Sequence, residues 1–88
     1  MPYHVLRFQD TPNPNALKCV LDRAIAPTAR SYRSADDAGG DPTALALFAI
    51  PGVANLLILN DWITVGKRSD ARWADLKPAI SDALRDAP

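Results

Sequence analysis

Two periods run through this chain. The first is the period-two alternation of a strand with one buried face. Over Tyr3–Gln9 it puts His4, Leu6 and Phe8 on one side and Tyr3, Val5, Arg7 and Gln9 on the other. Over Ala16–Asp22 it puts Leu17, Cys19 and Leu21 on an apolar side, with Lys18 and Asp22 facing away. Between them, Asp10-Thr11-Pro12-Asn13-Pro14-Asn15 is turn chemistry. Its prolines fix φ and remove two donors, and its Asx side chains close local turns. A hairpin is expected here. A second hairpin is expected where the apolar run Val53–Leu59 meets Asn60-Asp61 and then Trp62–Lys67. Asn and Asp tolerate the positive φ of a two-residue turn. Such a turn sets Leu59 opposite Trp62. Leu57, Leu59 and Trp62 then share one face, and Leu56, Ile58, Ile63 and Val65 the other.

The second period is helical. Asp41 is placed to cap free N–H groups, Pro42 suits the first helical position, and Ala44–Ile50 favours helix. Leu45, Phe48 and Ala49 form its expected stripe, and Pro51-Gly52 its stop. Ser69 or Asp70 is expected to cap a last helix running to about Asp86, with Trp73, Leu76, Ile80 and Leu84 three and four apart. Pro78 lies inside it and should kink it near Ala74–Lys77. Only Arg23–Gly40 lacks a period. A short edge strand over Ala29–Ser34 with Tyr32 inward and a plain loop fit it equally well. The order β-β-α-β-β-α predicts an α+β two-layer sandwich, with a mainly antiparallel sheet and both helices on one face.

Composition narrows the function. The 88 residues allow one domain, spanning 1–88, which hides roughly 60–65% of its unfolded surface, so a partner or second copy would help it. Ten basic and ten acidic residues cancel. Nucleic acid is therefore not expected as a partner, because that affinity comes from neutralising phosphates. No apolar run approaches the roughly 20 residues of a membrane span. Met1-Pro2-Tyr3-His4-Val5 carries no secretory signal. A cytoplasmic domain without membrane contact is expected.

The candidate chemistry is sparse. Cys19, the single cysteine, allows no intrachain disulfide, CxxC pair or multi-thiolate zinc site. Its place between Leu17 and Leu21 points to core packing. Because an iron–sulfur cluster takes about four thiolates, Cys19 could serve as a metal ligand only across a homodimer. His4 has no second histidine to pair with and is expected to be a half-exposed strand residue. Asp41, Asp61 and Asp70 are read as cap, turn and cap, and Asp36-Asp37 as a solvated loop pair. No catalytic site is expected. Two features exceed local need: the double Pro-Asn loop of Thr11, Pro12, Asn13, Pro14 and Asn15, and the apolar trio Leu57, Leu59 and Trp62. They are the candidate partner-binding residues. A register shift of one residue, or Arg23–Gly40 folded over the sheet, would leave no open patch.

Four segments carry a resemblance. Thr11-Pro12-Asn13-Pro14-Asn15-Ala16-Leu17-Lys18 resembles the TPNPNALKF signature of the N-terminal domain of Nfu/NifU-type iron–sulfur scaffold proteins. Leu47-Phe48-Ala49-Ile50-Pro51-Gly52-Val53, Asn60-Asp61-Trp62-Ile63-Thr64-Val65 and Trp73-Ala74-Asp75-Leu76-Lys77-Pro78 resemble its later blocks, in order. The resemblance implies the fold predicted above. It also implies that the cluster ligands, a CxxC of a separate C-terminal domain, have no counterpart in this sequence. Cys19 and Trp62 both stand where the family usually has Phe. The function so implied is a stand-alone, non-enzymatic accessory or protein-interaction domain linked to iron–sulfur cluster assembly. Its expected partners are assembly proteins, and any cluster would be held through a partner or a dimer.

Overall fold

The computed structural model describes residues 3–86. Its strands are β1 (Val5–Asp10), β2 (Ala16–Leu21), β3 (Ala26–Tyr32), β4 (Val53–Asn60) and β5 (Trp62–Lys67). Its helices are α1 (Ala35–Ala38), α2 (Pro42–Phe48) and α3 (Trp73–Arg85). The strands form one antiparallel sheet in the order β1-β2-β5-β4-β3. The helices cover one face, so the fold is the α+β sandwich the pattern predicts. It gains a fifth strand and a third helix from the segment without a period.

The core lies between sheet and helices. Cys19, Leu21, Leu56, Ile58, Ile63 and Val65 face Ala44, Leu47, Leu76, Ile80 and Leu84, and all are buried. The α2 end of the helix layer lies toward β3 and β4, where the Asp41 carboxylate accepts from Tyr32 and Arg30. The α3 end lies toward β1 and β2. There Tyr3 N–H donates to Leu84 C=O, and the Lys77 ammonium stands 5.5 Å from the Phe8 ring centroid.

Four expectations change. In β1 the alternation breaks at Leu6, because the register slips between Val5 and Arg7. A bulge adds one residue and reverses the sides beyond it. Val5 and Phe8 therefore both pack on the core, and Leu6 is 62% exposed. In α2 the buried residues are Thr43, Ala44 and Leu47, and of the expected stripe Leu45, Phe48 and Ala49 only Phe48 packs against the core. Leu45 is 39% exposed and Ala49 exposed, while Phe48 is half-buried. A seven-residue helix has room for one buried turn, here Thr43, Ala44 and Leu47. The cap position of α3 is Arg72, which makes no side-chain capping bond; neither Ser69 nor Asp70 holds it. Pro78 lies inside the continuous α3.

The fourth change is Asp36-Asp37. Both are exposed, but they belong to α1 rather than to a loop. Ser34 Oγ accepts from Asp37 N–H at 3.4 Å, and Asp37 Oδ2 accepts from Arg33 N–H at 3.0 Å. These two bonds satisfy donors at the start of the turn, in the manner of a capping box. Among the described residues no helix is long and apolar enough to cross a membrane.

Candidate interaction surface

The second hairpin has the predicted register. Leu59 pairs with Trp62, and Asn60 takes φ 54° in the turn. Leu56, Ile58, Ile63 and Val65 are thereby sent to the helices and are buried. Leu57, Leu59 and Trp62 point the other way and are half-buried. None of the three belongs to the core. Arg23–Gly40 does not fold over them: it supplies β3 at the sheet edge and then α1. Among the described residues, every buried helix side chain lies on the opposite face.

The expected trio leaves out two members of this face, of which alternation already turns Lys18 outward. Lys18 and Val20 sit between the inward Leu17, Cys19 and Leu21, and the register brings Val20 beside Trp62. The same period that named Cys19 as inward marks them as outward. Val20, Trp62 and Leu59 form a row across three strands, with Leu57 next to it. The Lys18 ammonium lies 4.8 Å from the Trp62 ring centroid, a cation–π distance.

The Thr11–Asn15 loop stands elsewhere. Its end adjoins Gly66 and Lys67, whereas Trp62 opens β5. Five residues of strand separate them, about 16 Å. The loop's hydrogen bonds explain its double Pro-Asn. Thr11 Oγ1 donates toward Asn13 C=O and Ala16 C=O, both at 2.9 Å, and accepts from Asn13 N–H at 3.2 Å. Asn13 Oδ1 accepts from Asn15 N–H at 2.9 Å. Asn15 Oδ1 accepts from Lys67 Nζ at 3.0 Å, and Pro14 C=O accepts from Trp73 Nε1 at 3.0 Å. The loop thus ties the first hairpin to β5 and to the start of α3. Pro12, Asn13 and Pro14 remain exposed.

Cys19 has 0% exposure. Burial pushes its thiol up to about 12, against a smaller downward pull from the Lys77 charge. A metal shared between two copies could reach its Sγ only if the layers parted. His4 is exposed, and its backbone N–H donates to Asp22 Oδ1. No three His, Cys, Asp or Glu residues gather at metal-binding distance among the described residues. A cavity of about 620 Å³ between the β2–β3 connection and the Asn60-Asp61 turn brings Asp22 and Asp61 together, and His4 does not line it. Asp41 does more than its expected capping. Its Oδ1 accepts from Ala44 N–H, and its Oδ2 from Tyr32 Oη at 3.0 Å and Arg30 Nη1 at 3.2 Å. Partial burial, then this carboxylate, raise the Tyr32 phenol above its usual range.

Residues 6–87 match the family described as "Scaffold protein Nfu/NifU N terminal". The chain belongs to this family. It is 31% identical over 83 residues to the mitochondrial NFU1 iron-sulfur cluster scaffold homolog of Drosophila ananassae, covering 92% of this chain and 29% of that protein. It is 30% identical over 82 residues to the mitochondrial NifU-like protein 4 of Arabidopsis thaliana, with the same coverages. The chain thus spans under a third of these curated relatives. Among solved structures it is similar to a NifU-like protein from Saccharomyces cerevisiae, with TM-score 0.80 and 27% identity over 96% of this chain and 76% of that one. It is also similar to Staphylococcus aureus protein SAV1430, with TM-score 0.77 and 25% identity over 91% and 96% of the two chains. The Nfu/NifU N-terminal sheet in this chain has one face built into the core and one without a helix layer.

Proposed function

We propose that this chain is a non-enzymatic accessory domain of iron–sulfur cluster assembly and docks a protein of that machinery on its open sheet face. The observation that carries this reading is the apolar trio Trp62, Leu59 and Leu57, half-buried and outside the core, with the buried Val20 packed beside Trp62, in a domain of this family. An apolar patch of this kind marks an interaction surface more often than it is idle. An aromatic at its centre suits an anchor role. Under this reading any cluster belongs to the partner, since the sequence offers one cysteine and that residue is buried. The Thr11–Asn15 loop then serves the sheet as a brace, with Pro12 and Asn13 free to extend the contact at the far end.

The test is affinity capture by the tagged chain from lysate of its source, with mass-spectrometric identification. Iron–sulfur assembly proteins are expected with the wild type and lost with Trp62→Ala. Equal thermal melting of the two proteins controls for folding. Undiminished capture by Trp62→Ala removes the sheet face from the reading.

A further inference from the structure

The strand positions of the open face carry charge of one sign. Residues paired across strands share a face. Arg7 pairs with Val20, Gln9 with Lys18, and Lys18 with Thr64, so Arg7 and Lys18 border the apolar row. The other paired positions on this face, Ala16, Ser31, Asn55, Thr64 and Gly66, are uncharged. The carboxylates near these strands go elsewhere. Asp10 pairs with the inward Leu17, Asp22 lies past the end of β2 and is engaged by His4 N–H and Arg23, and Asp61 lies in the turn before Trp62. A chain with zero net charge therefore presents an apolar row with a cationic border on its uncovered side.

We infer that this face docks a protein segment whose apolar side chains are bordered by aspartate or glutamate, rather than a second copy of the chain. The inference rests on the docking function proposed above and adds the chemistry of the partner. Two-fold pairing of these strands would desolvate Arg7 and Lys18 with no strand carboxylate of the second copy to meet them, which opposes self-association. A carboxylate border meets both cations and leaves Leu57, Leu59 and Trp62 to the partner's apolar side chains.

Two synthetic helical peptides serve as probes, each with one Leu/Phe stripe, bordered by Glu in the first and by Lys in the second. Each is titrated into the ¹⁵N-labelled chain and followed by amide shifts. The Glu-bordered peptide is expected to shift amides of Lys18, Val20, Leu57, Leu59 and Trp62 and to bind about tenfold more weakly when NaCl rises from about 50 to about 300 mM. The double variant Arg7→Glu, Lys18→Glu is expected to prefer the Lys-bordered peptide. That exchange of preference requires a folded protein, so loss of folding cannot imitate it. Equal binding of both peptides by the wild type overturns the inference. So do shifts confined to other surfaces, no shift with either peptide, or self-association through the same amides. The capture experiment separates the two readings. If Trp62→Ala loses the partner and the charge-reversed variant keeps it, docking stands and this inference fails. If Trp62→Ala keeps the partner, docking itself fails.

Discussion

At the scale of single residues, Cys19 shows how environment decides chemistry. Its neighbours are the apolar side chains of a closed core, so the thiol stays protonated far above neutral pH. A consequence for stability follows from linkage. In the unfolded chain the thiol titrates near 9.0, and in the folded chain near 12. The folded state therefore holds its proton where the unfolded state releases it, and stability falls as pH rises through that window. Below pH 9 this contribution is complete. By pH 10 the wild type should have lost about 1.4 kcal/mol more than Cys19→Val, which has no thiol to titrate. Urea unfolding of both proteins at pH 8 and pH 10 measures the difference, and parallel losses would show that the thiol is not shielded. The identity of Cys19 as an inward residue was legible in the sequence from Leu17 and Leu21 alone. Its complete burial depends on α3, some sixty residues later, which strand periodicity cannot place.

At the scale of elements, legibility followed the length of the repeat. The β4–β5 hairpin was predictable to the residue, because an unbroken apolar run met a turn whose side chains tolerate positive φ. The sheet-facing side of α2 was not, because seven residues make about two turns, and two turns hold two competing stripes. The bulge at Leu6 was equally hidden: it changes the phase of an alternation without changing its composition. The cap of α1 did leave a signal, Ser34-x-x-Asp37, within a segment whose charge suggested a loop. Asp41 links α2 to β3 by one side chain. Asp41→Ala should cost about 2 kcal/mol, from a lost N-cap and a lost acceptor for the Tyr32 hydroxyl. Arg30→Ala should cost under about 0.5 kcal/mol, since its side chain is 45% exposed and water screens the pair. Chemical denaturation of the two variants decides this, and equal costs would assign the link to the ion pair instead. The candidate site divided in the same way. Leu57, Leu59 and Trp62 followed from the hairpin, whereas Lys18 and Val20 required the β2–β5 pairing, which local sequence does not specify.

At the scale of the whole molecule, the sheet is two hairpins joined at β2 and β5, with β3 added beside β4. The joint is backed by the Thr11–Asn15 brace and by α3. The outermost strand on the first hairpin, β1, is bulged and bound to the sheet on one side only. Amide exchange should therefore be faster in β1 than in β4 and β5, whose buried residues are flanked by strands on both sides. Native-state hydrogen exchange resolved by residue tests this, and uniform protection across the five strands would show that the sheet opens as one unit. The pairing of Ala16 with Gly66 also has a meaning during synthesis. A ribosome delivers the first hairpin well before the strand that receives it, and the helix that covers Cys19 and Leu21 emerges later still. Until then neither side of β2 has its folded neighbours. In the finished domain the helices cover the side of β2 that carries Cys19 and Leu21, and the side that carries Lys18 and Val20 has no helix layer among the described residues.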